Sequence, residues 1–224
     1  MSAPVHIPPL HVEVRPPRAA SARAPLLLLL HGLGADEHDL LPLAEMLDGR
    51  CRVAAVRATF PYDFGGYAWY DIGQAGRPDP LRFPESHRRL LRTVELLCSR
   101  PDVDPTRVVL FGFSMGAVMS LALALTHPEL FLGVAANSGY FPEGTELVFR
   151  PEAARRLDVF LAHGTADPLI PVGFAHAARL SLERMGVPVT YREYPMAHEI
   201  GPPSLADAAA WLTALLDRSF ASAP

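Results

Sequence analysis

The segment that most constrains the fold runs from residue 107 to residue 126 and reads RVVLFGFSMGAVMSLALALT. A short, β-branched apolar run is followed by the pattern G-x-S-x-G and then by a stretch rich in Ala and Leu. The first run is typical of a buried parallel strand, and the last is typical of a buried helix. A G-x-S-x-G between a strand and a helix predicts a nucleophile elbow, with Ser114 on a sharp turn at the edge of a sheet. Gly112 and Gly116 leave room for the strand and the helix to cross closely.

Two other interpretations of this segment are weaker. In the first, Ser114 is an ordinary buried serine whose hydroxyl bonds the backbone of a core turn. In the second, the uncharged residues 108–126 cross a membrane, for which their length is sufficient. The two glycines, the change of period at Gly112 and the lack of a second such segment favour a buried core segment. We therefore predict no transmembrane segment.

Length and composition favour one α/β unit. The chain has 224 residues, long for one domain but within the range of such a unit, and half of them are hydrophobic. The sequence shows no internal repeat and no shift in composition. Residues 1–224 are therefore predicted to form a single domain.

Charge and residue usage exclude several classes of function. The net charge is −4 with no basic run, which gives no support for binding nucleic acid or an anionic membrane surface. All 20 basic residues are Arg, so a lysine nucleophile, a Schiff base and a P-loop lysine are excluded. Cys51 and Cys98 lack metal or redox spacing and predict buried, unpaired thiols. With no signal peptide recognised, they favour a cytoplasmic location.

Strand and helix patterns alternate along the chain. Predicted strands cover residues 11–14, 26–30, 52–56, 108–111, 131–136, 159–162 and 187–194. Predicted helices run from a cap at Asp39 to about Leu47 and then over residues 86–100, 117–125, 172–185 and 204–220. This alternation predicts a mostly parallel sheet with helices on both faces, and the first strand has the pattern of an edge strand. The intervening segment 58–83, rich in Pro, Gly and aromatic residues, predicts an ordered pocket wall.

Ser114 needs partners to act as a nucleophile: a general base, usually His, and an acid that fixes the tautomer of that base. In a parallel α/β sheet the functional groups gather at the carboxyl ends of the strands. His198 follows the strand that ends at Tyr194, and Asp167 follows the strand that ends at Ala162. The chain order Ser114, Asp167, His198 is that of enzymes built on a nucleophile elbow. We therefore predict that these three residues form a catalytic triad.

Other histidines and acidic residues are interpreted as structural. His31 and His163 each stand at a strand end before Gly, where ring nitrogens tie loop backbone together. Asp36, His38 and Asp39 suggest metal ligands, but a solvated helix start explains them more simply. We therefore predict no metal site and no cofactor.

The oxyanion that forms when Ser114 attacks a carbonyl needs N–H donors aimed at it. The backbone N–H of Met115, the residue after the nucleophile, is one expected donor. The other is expected from the loop after the second strand, where Leu33 stands between Gly32 and Gly34. Leu33 and Met115 are therefore the predicted oxyanion hole.

Five segments, in order, resemble the phospholipase/carboxylesterase family: LLLLHGLGADEHDL at 27–40, WYDI at 69–72, GFSMGA at 112–117, HGTADPLIPV at 163–172 and MAHEI at 196–200. That family contains small bacterial carboxylesterases and acyl-protein thioesterases. The resemblance implies a compact α/β-hydrolase without a large lid domain, which hydrolyses carboxylic esters or thioesters. It also implies Ser114, Asp167 and His198 as the triad, with Leu33 and Met115 in the oxyanion hole. Many members have Gln after the nucleophile; Met115 keeps the N–H donor but loses a polar side-chain contact.

Apolar side chains near the predicted triad are candidates for an acyl pocket, and about half of them are expected to be ordinary core. The candidates are Phe60, Phe64, Trp69, Tyr70, Phe141, Leu169 and Ile170. Each additional methylene in such a pocket contributes only about 1 kcal/mol, so a preference among small to medium acyl chains should be graded.

These residues together predict a serine carboxylesterase that cleaves a small-molecule ester or thioester through an acyl-enzyme, without a cofactor. Acyl transfer to an acceptor other than water, or a lysophospholipase-type activity, is an alternative from the same class. A non-catalytic binding protein on a hydrolase scaffold is an alternative from another class. A monomer and a homodimer are both open, because an apolar rim serves lipid, protein acyl chain or self-association equally well.

Overall fold

A seven-stranded sheet organises the protein, whose computed structural model describes residues 7–73 and 76–221. In sheet order the strands are β1 (Val12–Arg15), β3 (Arg52–Val56), β2 (Ala24–Leu30), β6 (Val103–Phe113), β7 (Gly133–Asn137), β8 (Asp158–Gly164) and β9 (Val189–Tyr194). The edge strand β1 runs antiparallel to β3, and all other neighbours are parallel. The mostly parallel sheet and its edge strand are as predicted.

Helices cover both faces of the sheet, which confirms the predicted layers. They are α1 (Leu41–Ala44), α2 (Arg82–Cys98), α3 (Met115–Thr126), α4 (Pro151–Ala154), α5 (Gly173–Arg184) and α6 (Pro202–Ala221), with a 3₁₀ turn at Pro128–Leu130. One face packs against α2, α3, α4 and α5, and the other packs against α1 and α6.

The leucine run of β2 shows how the sequence specifies these layers. Leu26, Leu28 and Leu30 point into the core under α2 and α3, whereas Leu27 and Leu29 point into the core under α1 and α6. Side chains alternate across a strand, and here both faces are covered. The strand is therefore apolar throughout instead of alternating with polar residues.

The predicted helix from Asp39 to Leu47 is largely replaced by turns. Helix α1 covers only Leu41–Ala44, with Pro42 in its first turn. The N–H groups of Met46 and Leu47 bond carbonyls three residues back, which is the spacing of tight turns and not of an α-helix. Asp39 precedes this helix without capping it.

Other boundaries shift, and the chain between β3 and α2 contains structure that was not predicted. Helix α2 begins at Arg82, four residues before the predicted start, because the carboxylate of Asp79 accepts the N–H groups of Leu81 and Arg82 at 3.0 and 2.6 Å. Within the segment 58–83, β4 (Phe60–Pro61) and β5 (Tyr67–Ala68) pair as a short hairpin.

The uncharged segment 108–126 is divided between β6 and α3. Among the helices of residues 7–73 and 76–221, none has the length and apolar character needed to cross a membrane. The segment forms the centre of the core.

Two glycines lie where helix α3 crosses strands β2 and β6, and neither position has space for a side chain. A Cβ atom on Gly116 would overlap the carbonyl oxygens of Leu30 and His31. A Cβ atom on Gly112 would overlap the backbone of Gly116. Both glycines are therefore required for the close crossing, as the sequence pattern indicated.

We expect Gly116→Ala to lower the free energy of unfolding by about 3 kcal/mol or more, because backbone carbonyls of β2 must move to admit the methyl group. Urea denaturation measures this change. Gly173→Ala is the matched control, since a Cβ there meets nothing within 4 Å, and its stability should be unchanged or slightly higher. Equal stability of the two variants would contradict this account of the crossing.

Candidate active site

Ser114 has a backbone conformation that few non-glycine residues adopt. Its φ is +53° and its ψ is −120°, directly between β6 and α3. The Ser114 N–H donates to the Asn137 carbonyl at 2.9 Å, and its carbonyl accepts the N–H groups of Ala117 and Val118. Such a conformation costs on the order of 1–3 kcal/mol and persists only where the surroundings hold it. The turn projects the serine hydroxyl from the carboxyl end of the sheet.

Three side chains from three strand ends form one hydrogen-bonded chain. The Nε2 atom of His198 lies 2.9 Å from Ser114 Oγ, and its Nδ1 atom lies 2.7 Å from Asp167 Oδ2. Because a carboxylate only accepts, Nδ1–H donates to Asp167 and Nε2 is left to accept the serine proton. Ser114 follows β6, Asp167 follows β8 and His198 follows β9, so the structure brings together all three residues of the predicted triad.

The carboxylate of Asp167 is held in its ionised form. Burial alone raises its pKa, but hydrogen bonds from the Ile170 N–H, His198 and the Leu169 N–H outweigh burial and hold the pKa of Asp167 below its usual value. Oδ1 accepts both N–H groups at 2.9 Å, which leaves Oδ2 for His198. The acid is thereby fixed in position as well as in charge.

Two further histidines near strand ends support loops, as predicted. His31 Nε2 accepts the Ala58 N–H at 3.0 Å, and its Nδ1–H donates to the Gly32 carbonyl at 2.6 Å. His163 Nε2–H donates to the Ile170 carbonyl at 2.7 Å. Burial lowers the pKa of both rings, which favours the neutral imidazole.

The predicted oxyanion donors, Leu33 and Met115, lie close to Ser114. Leu33 and Met115 both line the cleft that contains the serine. Met115 is the first residue of α3, so its N–H has no acceptor within the helix and lies at the positive end of the helix dipole. A Cβ on Gly32 would lie 3.4 Å from the Ser114 Cβ, which shows how closely this loop approaches the serine.

A buried ion pair anchors the loop that carries Leu33. The Glu37 side chain is 1% exposed and accepts two hydrogen bonds from Arg57, at 2.6 Å from Nε and 2.5 Å from Nη2. These hydrogen bonds lower the pKa of Glu37 to about 2. Nη1 of Arg57 donates to the Tyr67 hydroxyl at 3.1 Å, which links the loop to β5.

The same loop contains three neighbouring side chains of the types that bind metal ions. Donor atoms of Asp36, Glu37 and His38 lie within 4.8 Å of one another. In the sequence, Asp36, His38 and Asp39 suggested metal ligands; the observed group contains Glu37 in place of Asp39. The paired guanidinium of Arg57 accounts for the charge of Glu37.

A cleft of about 570 Å³ opens over Ser114, within the size range of small-ligand sites. Its lining includes Leu33, Tyr70, Ile72, Phe113, Met115, Tyr140, Leu169 and Ile170, together with Ser114 and His198. The rim also carries Asp39, Asp71 and Arg77. Of the predicted pocket residues, the structure thus places Tyr70, Leu169 and Ile170 on the wall of this cleft.

The expectation that Trp69 and Phe141 line the pocket is wrong. Trp69 is fully buried and donates its indole N–H to the His31 carbonyl at 2.9 Å. Phe141 packs edge-on against Phe149, with ring centres 5.6 Å apart.

Phe60 and Phe64, also considered for the pocket, lie elsewhere as well. The guanidinium of Arg82 lies over the Phe60 ring at 4.7 Å from its centre. Phe64 is exposed and packs against Tyr62.

Sequence reasoning missed several residues of the site. Tyr140 and Asn137 lie at the carboxyl end of β7, beside the elbow strand, so the strand-end rule applied to β7 would have found them. The Asn137 side chain donates to the Gly112 carbonyl at 3.1 Å, and its backbone carbonyl accepts the Ser114 N–H. The Phe113 ring packs against His198 with centres 5.0 Å apart.

Comparison with known proteins identifies relatives along most of the chain. The sequence profile described as Phospholipase/Carboxylesterase matches residues 11–216. The chain is 26% identical to acyl-protein thioesterase 1 of Cryptococcus neoformans, over 90% of this chain and 95% of that protein. It is 27% identical to a probable inactive carboxylesterase of Oryza sativa, over 89% of each.

The fold is also found in solved structures. The carboxylesterase of Bacillus cereus matches with a TM-score of 0.82 at 23% identity, covering 92% of this chain and 94% of that one. The sheet and its helices are thus those of an α/β-hydrolase, as predicted. Across residues 7–73 and 76–221, no large lid domain covers the cleft.

We expect Glu37→Gln to reduce stability at neutral pH by about 2 kcal/mol. The folded-state pKa of about 2 lies below the ordinary value of 4.5, so the carboxylate stabilises the fold fully above about pH 4.5 and loses this effect as pH falls towards 2. The gap between wild type and variant should therefore narrow between about pH 5 and pH 2.

Urea denaturation across this pH range measures the gap. Glu45→Gln is the control, because Glu45 also pairs with an arginine but its side chain is 77% exposed, so the loss should be below about 0.5 kcal/mol. A gap for Glu37→Gln that stays constant from pH 7 to pH 3 would show that the ionisation of Glu37 does not stabilise the fold.

Proposed function

The chain belongs to the phospholipase/carboxylesterase family and is a hydrolase of carboxylic esters or thioesters, and we propose that Ser114, His198 and Asp167 carry out its reaction. The single observation that carries this proposal is the hydrogen-bonded chain from Asp167 through His198 to Ser114 at 2.7 and 2.9 Å. The strained backbone at Ser114 and the cleft above it support the same assignment.

The proposed reaction begins with proton transfer. His198 Nε2 takes the proton of Ser114 as Oγ attacks the carbonyl carbon, and the ionised Asp167 stabilises the imidazolium that forms. The carbonyl oxygen becomes an oxyanion and accepts the N–H groups of Leu33 and Met115.

Collapse of this intermediate breaks the bond to the alcohol or thiol, which receives the proton from His198 and leaves. The acyl group remains on Ser114. A water molecule then gives its proton to His198 and attacks the acyl carbonyl, which releases the acid and restores the serine. No step requires a cofactor.

The dimensions of the cleft favour small to medium acyl chains. Its volume of about 570 Å³ is enclosed mainly by apolar side chains, including Met115 and Ile170. Oxygen esters and thioesters share the carbonyl geometry that this site addresses, so both belong to the proposed substrate class.

Acyl transfer and lysophospholipase-type activity are alternatives on the same triad. Product analysis with competing alcohols separates transfer from hydrolysis. A non-catalytic binding protein is the alternative from another class, and the Oryza sativa relative is named a probable inactive carboxylesterase. Here the hydrogen-bonded triad favours an enzyme, as do Leu33 and Met115, which line the same cleft.

We propose that residues 1–224 form a single domain, supported by the one sheet that joins β1 to β9. A cytoplasmic location is supported by the unpaired thiols of Cys51, which is buried, and Cys98, which is half-buried.

We also propose a homodimer. Ile72 and Leu169, which are 62% and 67% exposed at the rim of the cleft, support it. Sedimentation equilibrium tests this association, and a single monomeric species at high concentration would contradict it.

We expect Ser114→Ala to abolish hydrolysis of 4-nitrophenyl butyrate, and Asp167→Asn to lower kcat by roughly 10⁴-fold with the fold intact. The amide of Asn favours the wrong tautomer of His198, whereas the serine remains in place. Circular dichroism and urea denaturation provide the control for folding. Near-normal turnover in folded Asp167→Asn would assign the acid to another residue.

The pH dependence should report one group. Hydrogen bonds lower the pKa of Asp167, so its carboxylate stays ionised across the pH range in which an ordinary imidazole becomes protonated. We therefore expect log(kcat/KM) to fall with decreasing pH at a slope of one. A rate that stays flat into clearly acidic buffer would contradict His198 as the base, and a slope of two would contradict an ionised Asp167.

A further inference from the structure

Two tyrosine hydroxyls meet inside the otherwise apolar part of the cleft. Tyr70 follows β5 and Tyr140 follows β7, and their hydroxyl oxygens are 2.9 Å apart. Tyr70 is 2% exposed and Tyr140 is 7% exposed, yet both line the cleft that contains Ser114. The pair thus forms a small polar patch at the enclosed end of the site.

The two hydroxyls carry two protons, and the hydrogen bond between them uses only one. Each hydroxyl has one proton to donate, and the contact between them uses one of the two protons. Within residues 7–73 and 76–221, that contact is the one hydrogen bond either hydroxyl makes. One O–H therefore remains without an acceptor in a buried position.

Apolar rings pack against both tyrosines, and within residues 7–73 and 76–221 no second acceptor lies at hydrogen-bonding distance from either hydroxyl. The Tyr70 ring packs edge-on against Phe83 with centres 5.0 Å apart, and the Tyr140 ring lies 6.1 Å from Phe174. Ile170 and Met115 line the same cleft. Burial raises the pKa of both tyrosines, so both hydroxyls keep their protons and remain donors. An unpaired buried donor is unfavourable, and a ligand oxygen would remove that cost.

We propose that Tyr70 and Tyr140 form a subsite for an oxygen acceptor in the acyl chain of the substrate. The substrate class is then esters or thioesters of acids that carry an ether, hydroxyl or carbonyl oxygen beyond the scissile carbonyl. The oxygen accepts the free O–H of the pair, and the remaining chain contacts the apolar wall. This inference rests on the proposed hydrolysis at Ser114.

The acyl side is assigned to this subsite for a geometric reason. The leaving group departs while the acyl group stays bonded to Ser114, so the leaving group needs the open side of the cleft. Tyr70 and Tyr140 are almost fully buried, whereas Ile72 and Leu169 form an exposed rim. The enclosed end is therefore the end that holds the acyl chain.

The test compares 4-nitrophenyl esters of straight-chain acids with esters in which an ether oxygen replaces one methylene at each position in turn. An ether oxygen is close in size to a methylene and only accepts hydrogen bonds. For each enzyme, kcat/KM for the ether ester is divided by kcat/KM for the matching alkyl ester. The ratio for the wild type is then divided by the ratio for a variant. This double ratio cancels the intrinsic reactivity of each ester.

We expect one ether position to be preferred by about tenfold in the wild type, because the matching alkyl chain leaves a buried O–H unpaired. The double variant Tyr70→Phe/Tyr140→Phe should lose this preference. Each single variant should keep a preference, because the remaining hydroxyl still has one unpaired proton. A purely structural contact would not produce this difference between single and double variants.

Tyr191→Phe is the matched control, since its hydroxyl donates to Glu193 and it does not line the cleft. Its double ratio relative to the wild type should be one.

A double ratio of one for the Tyr70→Phe/Tyr140→Phe variant at every ether position would overturn the subsite. If alkyl esters are still hydrolysed and this hydrolysis depends on Ser114, the proposed function stands. No hydrolysis of any ester by the wild type would overturn the proposed function and this inference together.

Discussion

The close crossing of β2, β6 and α3 is the constraint on which the rest of the structure depends. Gly116 lies against the carbonyl of Leu30, and Gly112 lies against Gly116, with no volume left for a side chain at either position. The chain between them must turn sharply, and Ser114 therefore has a strained backbone conformation with a φ of +53°. The same crossing brings the loop after β2 next to the serine, so one packing constraint positions both the hydroxyl and the Leu33 loop.

Around this crossing, buried carboxylates hold the loops that carry function. Asp167 uses one oxygen to order its own loop and the other to orient His198. Glu37 orders the loop that carries Leu33 through its hydrogen bonds with Arg57. In both cases hydrogen bonds keep the carboxyl ionised despite its burial, which the lowered pKa values reflect. The site therefore depends on buried carboxylates whose hydrogen-bond partners are fixed.

The sequence is sufficient to predict the seven strands of the large sheet, the longer helices, and the meeting of Ser114, Asp167 and His198, because apolar periodicity and the position of a residue after a strand can be recognised locally. The pocket wall is different. Trp69 and Tyr70 are adjacent, as are Tyr140 and Phe141, yet in each pair only the tyrosine lines the cleft. Irregular loops have no fixed period, so the orientation of neighbouring side chains follows from tertiary packing alone. Tertiary packing also explains why α1 is short. Tight turns after Ala44 replace the α-helical hydrogen bonds that the composition of this segment suggested.

The most direct test of an activated Ser114 is the intact mass of the protein after exposure to a fluorophosphonate, for wild type and Ser114→Ala. We expect a single adduct on the wild type and none on the variant, because only a serine with a paired base attacks the phosphorus at an appreciable rate. An unmodified wild type that is demonstrably folded would contradict the account. The hydrogen-bonded triad would then be a feature of a binding protein on a hydrolase scaffold.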